Sequence, residues 1–187
     1  MVGIELTWKN DDLILYHGCS DLSLRPKRTD GIALGTAKHG IDPSVGARKP
    51  DFGSGFYATT WLDQAKIWAN VRTLQLSRSQ QGVRAIVIEF AIKRNDLAEL
   101  ECLVFTNERG DYFPFVRYCR QGRPIHARSG TNKAMYDVVY GPVSLASAKL
   151  MREMVAKDSD QVSFHTSKAV AKIPAVRVAA TGNPLFP

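Results

Sequence analysis

Asp51-Phe52-Gly53-Ser54-Gly55-Phe56-Tyr57-Ala58-Thr59-Thr60 is the stretch on which the reading of the fold turns. Two glycines one residue apart permit a tight turn. An aromatic pair follows on a short strand, Phe56–Thr60, which feeds directly into a helix. Thr60 and Asp63 have the spacing of a capping box, and Trp61, Ala65, Trp68, Arg72 and Leu76 fall near one helical face. The third glycine of a dinucleotide-fold loop is missing, which argues against a Rossmann unit.

On the N-terminal side, Leu13–His17 is a short apolar run ending at Gly18, read as a buried strand. Between them, Arg25 to Gly53 is rich in Gly, Pro, Asp, Lys and Arg without a sustained period, and is expected to be a functional covering loop. On the C-terminal side, the clearest strand is Val83–Ile92, where Ile86, Ile88, Phe90 and Ile92 alternate with Val87, Glu89 and Ala91. Tyr112–Arg120 reads as an aromatic helix with Pro114 in its first turn. Met135–Tyr140 reads as a strand stopped by Gly141-Pro142, and Ser144 as the cap of a helix running to Ala156. Gln161–His165 is a strand with Val162 and Phe164 on one face and Gln161, Ser163 and His165 on the other. Thr166 or Ser167 caps a short helix through Ile173, Val176–Ala180 is a last strand, and Gly182–Pro187 is expected to fray. Strands punctuated by single helices, without strict alternation, specify an α+β chain rather than a βαβ repeat. Residues 1–175 are read as one domain and 176–187 as a C-terminal strand and tail.

Composition narrows the function. The 187 residues hold 25 Lys and Arg against 18 Asp and Glu, a net charge of +7 that favours an anionic partner. Arg25, Lys27 and Arg28 form one basic cluster, and Arg117, Arg120, Arg123, Arg128 and Lys133, with His126, a second. No apolar run approaches the ~20 residues of a membrane helix, so no membrane partner is expected. The first dozen residues lack a signal-peptide pattern, and three cysteines at no metal-like spacing fit reduced thiols, so a cytoplasmic protein without a metal is expected.

Three phrases carry candidate chemistry. Tyr16-His17-Gly18 puts an imidazole beside backbone that a ligand can approach closely. In the second phrase, Tyr57 and the later Trp68 could sandwich a flat ring. The third, Gln161-Val162-Ser163-Phe164-His165-Thr166, gives a strand one polar edge. Together with Tyr136–Pro142, these phrases resemble the ADP-ribosyltransferase superfamily, in its diphtheria-toxin and poly(ADP-ribose) polymerase branch. Within that branch they look like a bacterial and phage group of toxin-type transferase-like domains.

The resemblance implies a split β-sheet core with short flanking helices, and NAD as substrate. It implies that His17 hydrogen-bonds a ribose, Gly18 holds the nicotinamide carboxamide, and Tyr57 and Trp68 flank the ring. Gln161 stands where the branch has its catalytic glutamate. His17, Tyr57 and Gln161 are therefore the expected catalytic set, with Tyr16, Gly18, Arg25, Gly55, Thr59, Trp68 and Ser163 binding NAD. Arg25, Lys27 or Arg28 would meet the pyrophosphate, and the Arg117–Lys133 stretch an acidic or polynucleotide acceptor. The implied activity is mono-ADP-ribosylation of a protein, RNA or DNA acceptor, in a toxin or effector that could act inside a target cell, with an antitoxin protein as a candidate partner. NAD glycohydrolysis, or an inactive module binding NAD, ADP-ribose or nucleic acid, are the alternatives, because Gln161 carries no charge. Asp51, Asp158 and Asp160 are candidates for a substitute carboxylate.

Overall fold

The structure is a computed structural model that describes residues 11–24, 31–44, 50–122, 126, 135–145 and 153–187. Among these, two sheets and four α-helices form a mixed α+β arrangement. The first sheet contains β1 (Leu13–Ser20), β3 (Ala85–Ile92) and β7 (Arg177–Thr181) in the order β1-β3-β7. The second contains β2 (Phe56–Ala58), β4 (Cys102–Val104), β5 (Val138–Ser144) and β6 (Val155–Phe164) in the order β2-β6-β5-β4. The helices are α1 (Leu62–Ser77), α2 (Arg94–Ala98), α3 (Tyr112–Arg120) and α4 (Ser167–Val170). Every strand pair is antiparallel except β4 with β5.

The two sheets share a core. Leu15 and Cys19 from β1, Ile88 and Phe90 from β3, Phe56 from β2, and Val162 and Phe164 from β6 are buried in one cluster. The rings of Phe56, Phe90 and Phe164 lie 6.1–6.4 Å apart, within the range of favourable aromatic pairs. A second cluster packs the aromatic face of α3, including Tyr112, Phe113 and Phe115, against Phe52 and Val139.

Among the described residues, backbone hydrogen bonding joins the sheets through a single rung, Tyr16 with Thr59, at 2.8 and 2.9 Å. Beyond this rung β1 and β2 diverge, and the imidazole of His17 occupies the gap, its Nδ1 2.6 Å from the Tyr57 carbonyl.

The other face of β1 receives α1 at unusually close range. The buried stripe of α1 is Ala65, Ala69 and Thr73, while Ile67, Trp68 and Leu74 are half or more exposed. Gly18 explains the inversion: a Cβ there would lie 2.1 Å from the Ala65 carbonyl oxygen and 2.7 Å from the Ala69 nitrogen. Only small residues fit on both sides of this contact.

Several sequence expectations need correction. Ser144 does not cap a helix: it ends β5, its backbone N–H donates to Asp51, and Leu145 N–H donates to the Met154 carbonyl. Residues 155–156 already belong to β6. Gly141-Pro142 does not stop β5, which continues opposite Gln161 and Asp160; β4 pairs only as far as Tyr140, so the missing proline N–H breaks no ladder bond on that side. The expected capping box at α1 is not formed, because Asp160 captures the Thr60 backbone N–H and hydroxyl at 2.9 and 2.5 Å. The end of the chain does not fray. Gly182 and Pro184 bracket Ala85 with backbone hydrogen bonds, and Asn70 bonds both the N–H and the carbonyl of Phe186.

Candidate functional site

A cleft of about 560 Å³ opens where the two sheets part, within the ordinary size range of small-molecule sites. Its walls come from β1, the 50–57 turn and β2, α1, the end of α3, and the adjoining parts of β5 and β6. Tyr16, His17, Gly18, Gly55, Tyr57, Thr59, Trp68 and Gln161 all line it. These residues lie up to 145 positions apart in sequence, 161 − 16, and the seam between the sheets brings them together.

His17 has a defined protonation pattern. Nδ1 faces a backbone carbonyl, an obligate acceptor, so it carries the proton, and Nε2 is left as an acceptor. Burial lowers its pKa despite that hydrogen bond, and the positive charge of Arg72 lowers it further, which keeps the ring neutral. The ring packs on Phe56 with centroids 4.5 Å apart.

Tyr57 closes the 52–57 turn upon itself. Its hydroxyl donates to the Gly53 carbonyl at 2.7 Å and accepts from Phe52 N–H at 3.0 Å. Burial drives its pKa well above the ordinary value, so it remains a phenol. Trp68 projects from α1 with half its surface exposed. Tyr16 makes the backbone rung to Thr59, and Thr59 uses its hydroxyl to bond Asp160 at 2.7 Å.

Ser163 requires a correction. It is fully buried and absent from the cleft lining, with its hydroxyl 2.7 Å from His165 Nε2 and 3.1 Å from the Val139 carbonyl. The turn covers this end of the polar strand face: Ser163 pairs with Tyr57, and His165 Nδ1 donates to the Ser54 carbonyl at 2.6 Å. Gly55 permits this coverage, since a Cβ there would lie 2.8 Å from His165 Nδ1. Gln161, two residues earlier, lies beyond the cover and reaches the cleft.

Arg25, Lys27, Arg28, Arg123, Arg128 and Lys133 lie outside the described residues. Two members of the second basic cluster turn inward rather than forming an acceptor surface. His126 is buried and its Nε2 donates to the Phe52 carbonyl at 2.8 Å. Arg120 lines the cleft and forms an ion pair with Asp51.

Asp51 is the residue whose importance the sequence left most open. It is buried and accepts from Arg120 Nε at 3.0 Å, Arg120 Nη2, Ser144 N–H at 2.7 Å and Gln161 Nε2 at 2.7 Å. Asp160 is instead committed to Thr59 and Thr60, and Asp158 is exposed; neither lines the cleft. Arg72 also lines the cleft, one turn beyond Trp68, and has no ion-pair partner among the described residues. Its place on the Trp68 face of α1 was legible from spacing. The Asp51–Arg120 pair was not, because 69 residues separate its members.

Among the described residues no group of three or more His, Cys, Asp and Glu could hold a metal ion, and no helix is long and apolar enough to cross a membrane. Residues 37–174 match DUF3990, a family of proteins of unknown function, and the chain belongs to that family. No curated protein and no solved structure matches it.

Proposed function

We propose that this DUF3990 member binds NAD in the cleft and transfers ADP-ribose from it to a macromolecular acceptor, protein, RNA or DNA. The observation that carries this reading is the convergence of His17, Gly18, Tyr57, Trp68 and Gln161 on one cleft. Two sheets joined by one rung support the finer assignment of an ADP-ribosyltransferase-like split sheet.

Cleaving the nicotinamide–ribose bond develops oxocarbenium character on the sugar. His17 Nε2 would accept a hydrogen bond from a ribose hydroxyl. Gly18 lets the carboxamide approach the β1 backbone, and Tyr57 and Trp68 flank the nicotinamide ring. Arg72 would meet the pyrophosphate as a charge-assisted donor. The Gln161 carbonyl would hold a second ribose hydroxyl. The glycosidic bond electrons leave with nicotinamide, and the acceptor nucleophile bonds to the ribose carbon while losing its proton. A module that binds NAD without turnover is the second reading, favoured because the carboxylate in contact with Gln161 is committed, each Asp51 oxygen already accepting two hydrogen bonds.

Incubation with labelled NAD and cell extract, followed by separate protease, RNase and DNase digestion, tests the proposal. Nicotinamide release with label on a macromolecule is the expected result, lost in His17→Ala and Tyr57→Ala. Release without macromolecular label would mean glycohydrolysis, and full labelling by both variants would refute the site.

A further inference from the structure

Position 161 faces two acceptors. Gln161 Nε2 donates to Asp51 Oδ2 at 2.7 Å and to the Pro142 carbonyl at 2.8 Å. Only the amino end of the side-chain amide can satisfy both, which fixes the orientation of the group. The carbonyl Oε1 is then the end left for the cleft that Gln161 lines, and it has no hydrogen-bond partner among the described residues. Donation to a carboxylate also polarises an amide, strengthening its oxygen as an acceptor.

We infer that Asp51 is a positioning residue that, together with the Pro142 carbonyl, specifies an amide at position 161 and presents its oxygen to the ligand. The glutamine is therefore matched to its surroundings rather than a defect in them. This inference rests on the NAD reading for the identity of the ligand, but not for the arrangement of the pair.

A glutamate at 161 would meet a carboxylate and a carbonyl where the amide now donates. Two carboxylates at this separation cannot both ionise freely, so one takes a strongly raised pKa. Arg120, from α3, is the cation facing the pair, and both its contacts to Asp51 are on Oδ1, away from Gln161. The other titratable groups near it are Tyr57, Tyr112 and Cys119. Burial raises the pKa of all three, and the charge of Asp51 adds to it.

The test compares wild type with Gln161→Glu by thermal melting from about pH 8.5 to pH 5, and by nicotinamide release from NAD at about pH 8. The variant is expected to melt several degrees below wild type at high pH, to close that gap as the pH falls, and to release nicotinamide at least ~10-fold more slowly. A gap that does not change with pH, or faster release, overturns the inference. If wild type releases no nicotinamide yet the gap closes on acidification, the positioning role stands and the reading of NAD turnover falls. If Gln161→Glu does not fold at high pH, Asp51→Asn/Gln161→Glu, which removes one of the two charges, must restore folding; failure to do so also overturns it.

Discussion

Mild acid should loosen the turn that builds the cleft, and His165 supplies the reason. Its Nδ1 donates to the Ser54 carbonyl and its Nε2 contacts the Ser163 hydroxyl, so the neutral ring is bonded at both nitrogens. Burial, reinforced by the nearby His126 ring 4.4 Å away, pushes its pKa down to about 3 from the ordinary 6.5. The unfolded chain therefore takes up a proton below pH 6.5 that the native protein refuses, and stability falls with the pH. At pH 5, about 1.5 pH units below the ordinary value, the loss is about 2 kcal/mol, and it grows to about 4 kcal/mol near pH 3. His17 and His39 also have lowered pKa values and act in the same direction. Comparison with His165→Asn, by urea unfolding followed by circular dichroism at about pH 7.5 and pH 5, isolates the contribution of His165. Wild-type stability that is flat over this interval, or an equal slope in the variant, refutes the reasoning.

Gly18→Ala should destabilise by about 3 kcal/mol or more, since its methyl group would meet the α1 backbone rather than a movable side chain; a melting temperature within a degree of wild type would contradict this. Arg120→Ala leaves the buried Asp51 carboxylate without its cation and should cost about 3–5 kcal/mol in chemical denaturation. Thr73→Val should stabilise by about 1 kcal/mol, because the Thr73 hydroxyl is buried with no hydrogen-bond partner among the described residues. Arg72→Ala should weaken NAD binding about 10-fold in calorimetry and reduce its salt dependence, while leaving the melting temperature of the free protein unchanged.

The fold was legible where a segment's own pattern agrees with its environment. β3 is read correctly because its alternating isoleucines and phenylalanine fill the shared core. The α3 helix is read from its aromatic face. Helix α2 and strand β4 escape notice, being five and three residues long with no buried side chain between them. Ser144 misleads because its local capping chemistry is overruled by a partner 93 residues away. Seven of the eight cleft-lining residues named above stand in the three phrases that carry the family resemblance and Trp68 was read from helical spacing, whereas Ser163, in the same phrase as Gln161, lies under the turn. Asp51 was recognised as a carboxylate near the turn, but its fourfold hydrogen bonding depends on three elements that converge only in the folded chain.

Among the described residues, directional bracing between the halves is confined to a few hydrogen bonds at one joint: the Tyr16–Thr59 rung and, beside it, the reciprocal pair between the Gln64 side chain and the Asp160 backbone. Apart from these hydrogen bonds and the His17–Tyr57 contact, the halves meet through hydrocarbon and aromatic surfaces, which permit small slippage at low cost. A guest gripping both banks would act as a crossbar, suppressing that play. Its signature would be slower amide exchange at Tyr16 and Thr59, residues at the joint itself, in addition to protection of whatever it touches.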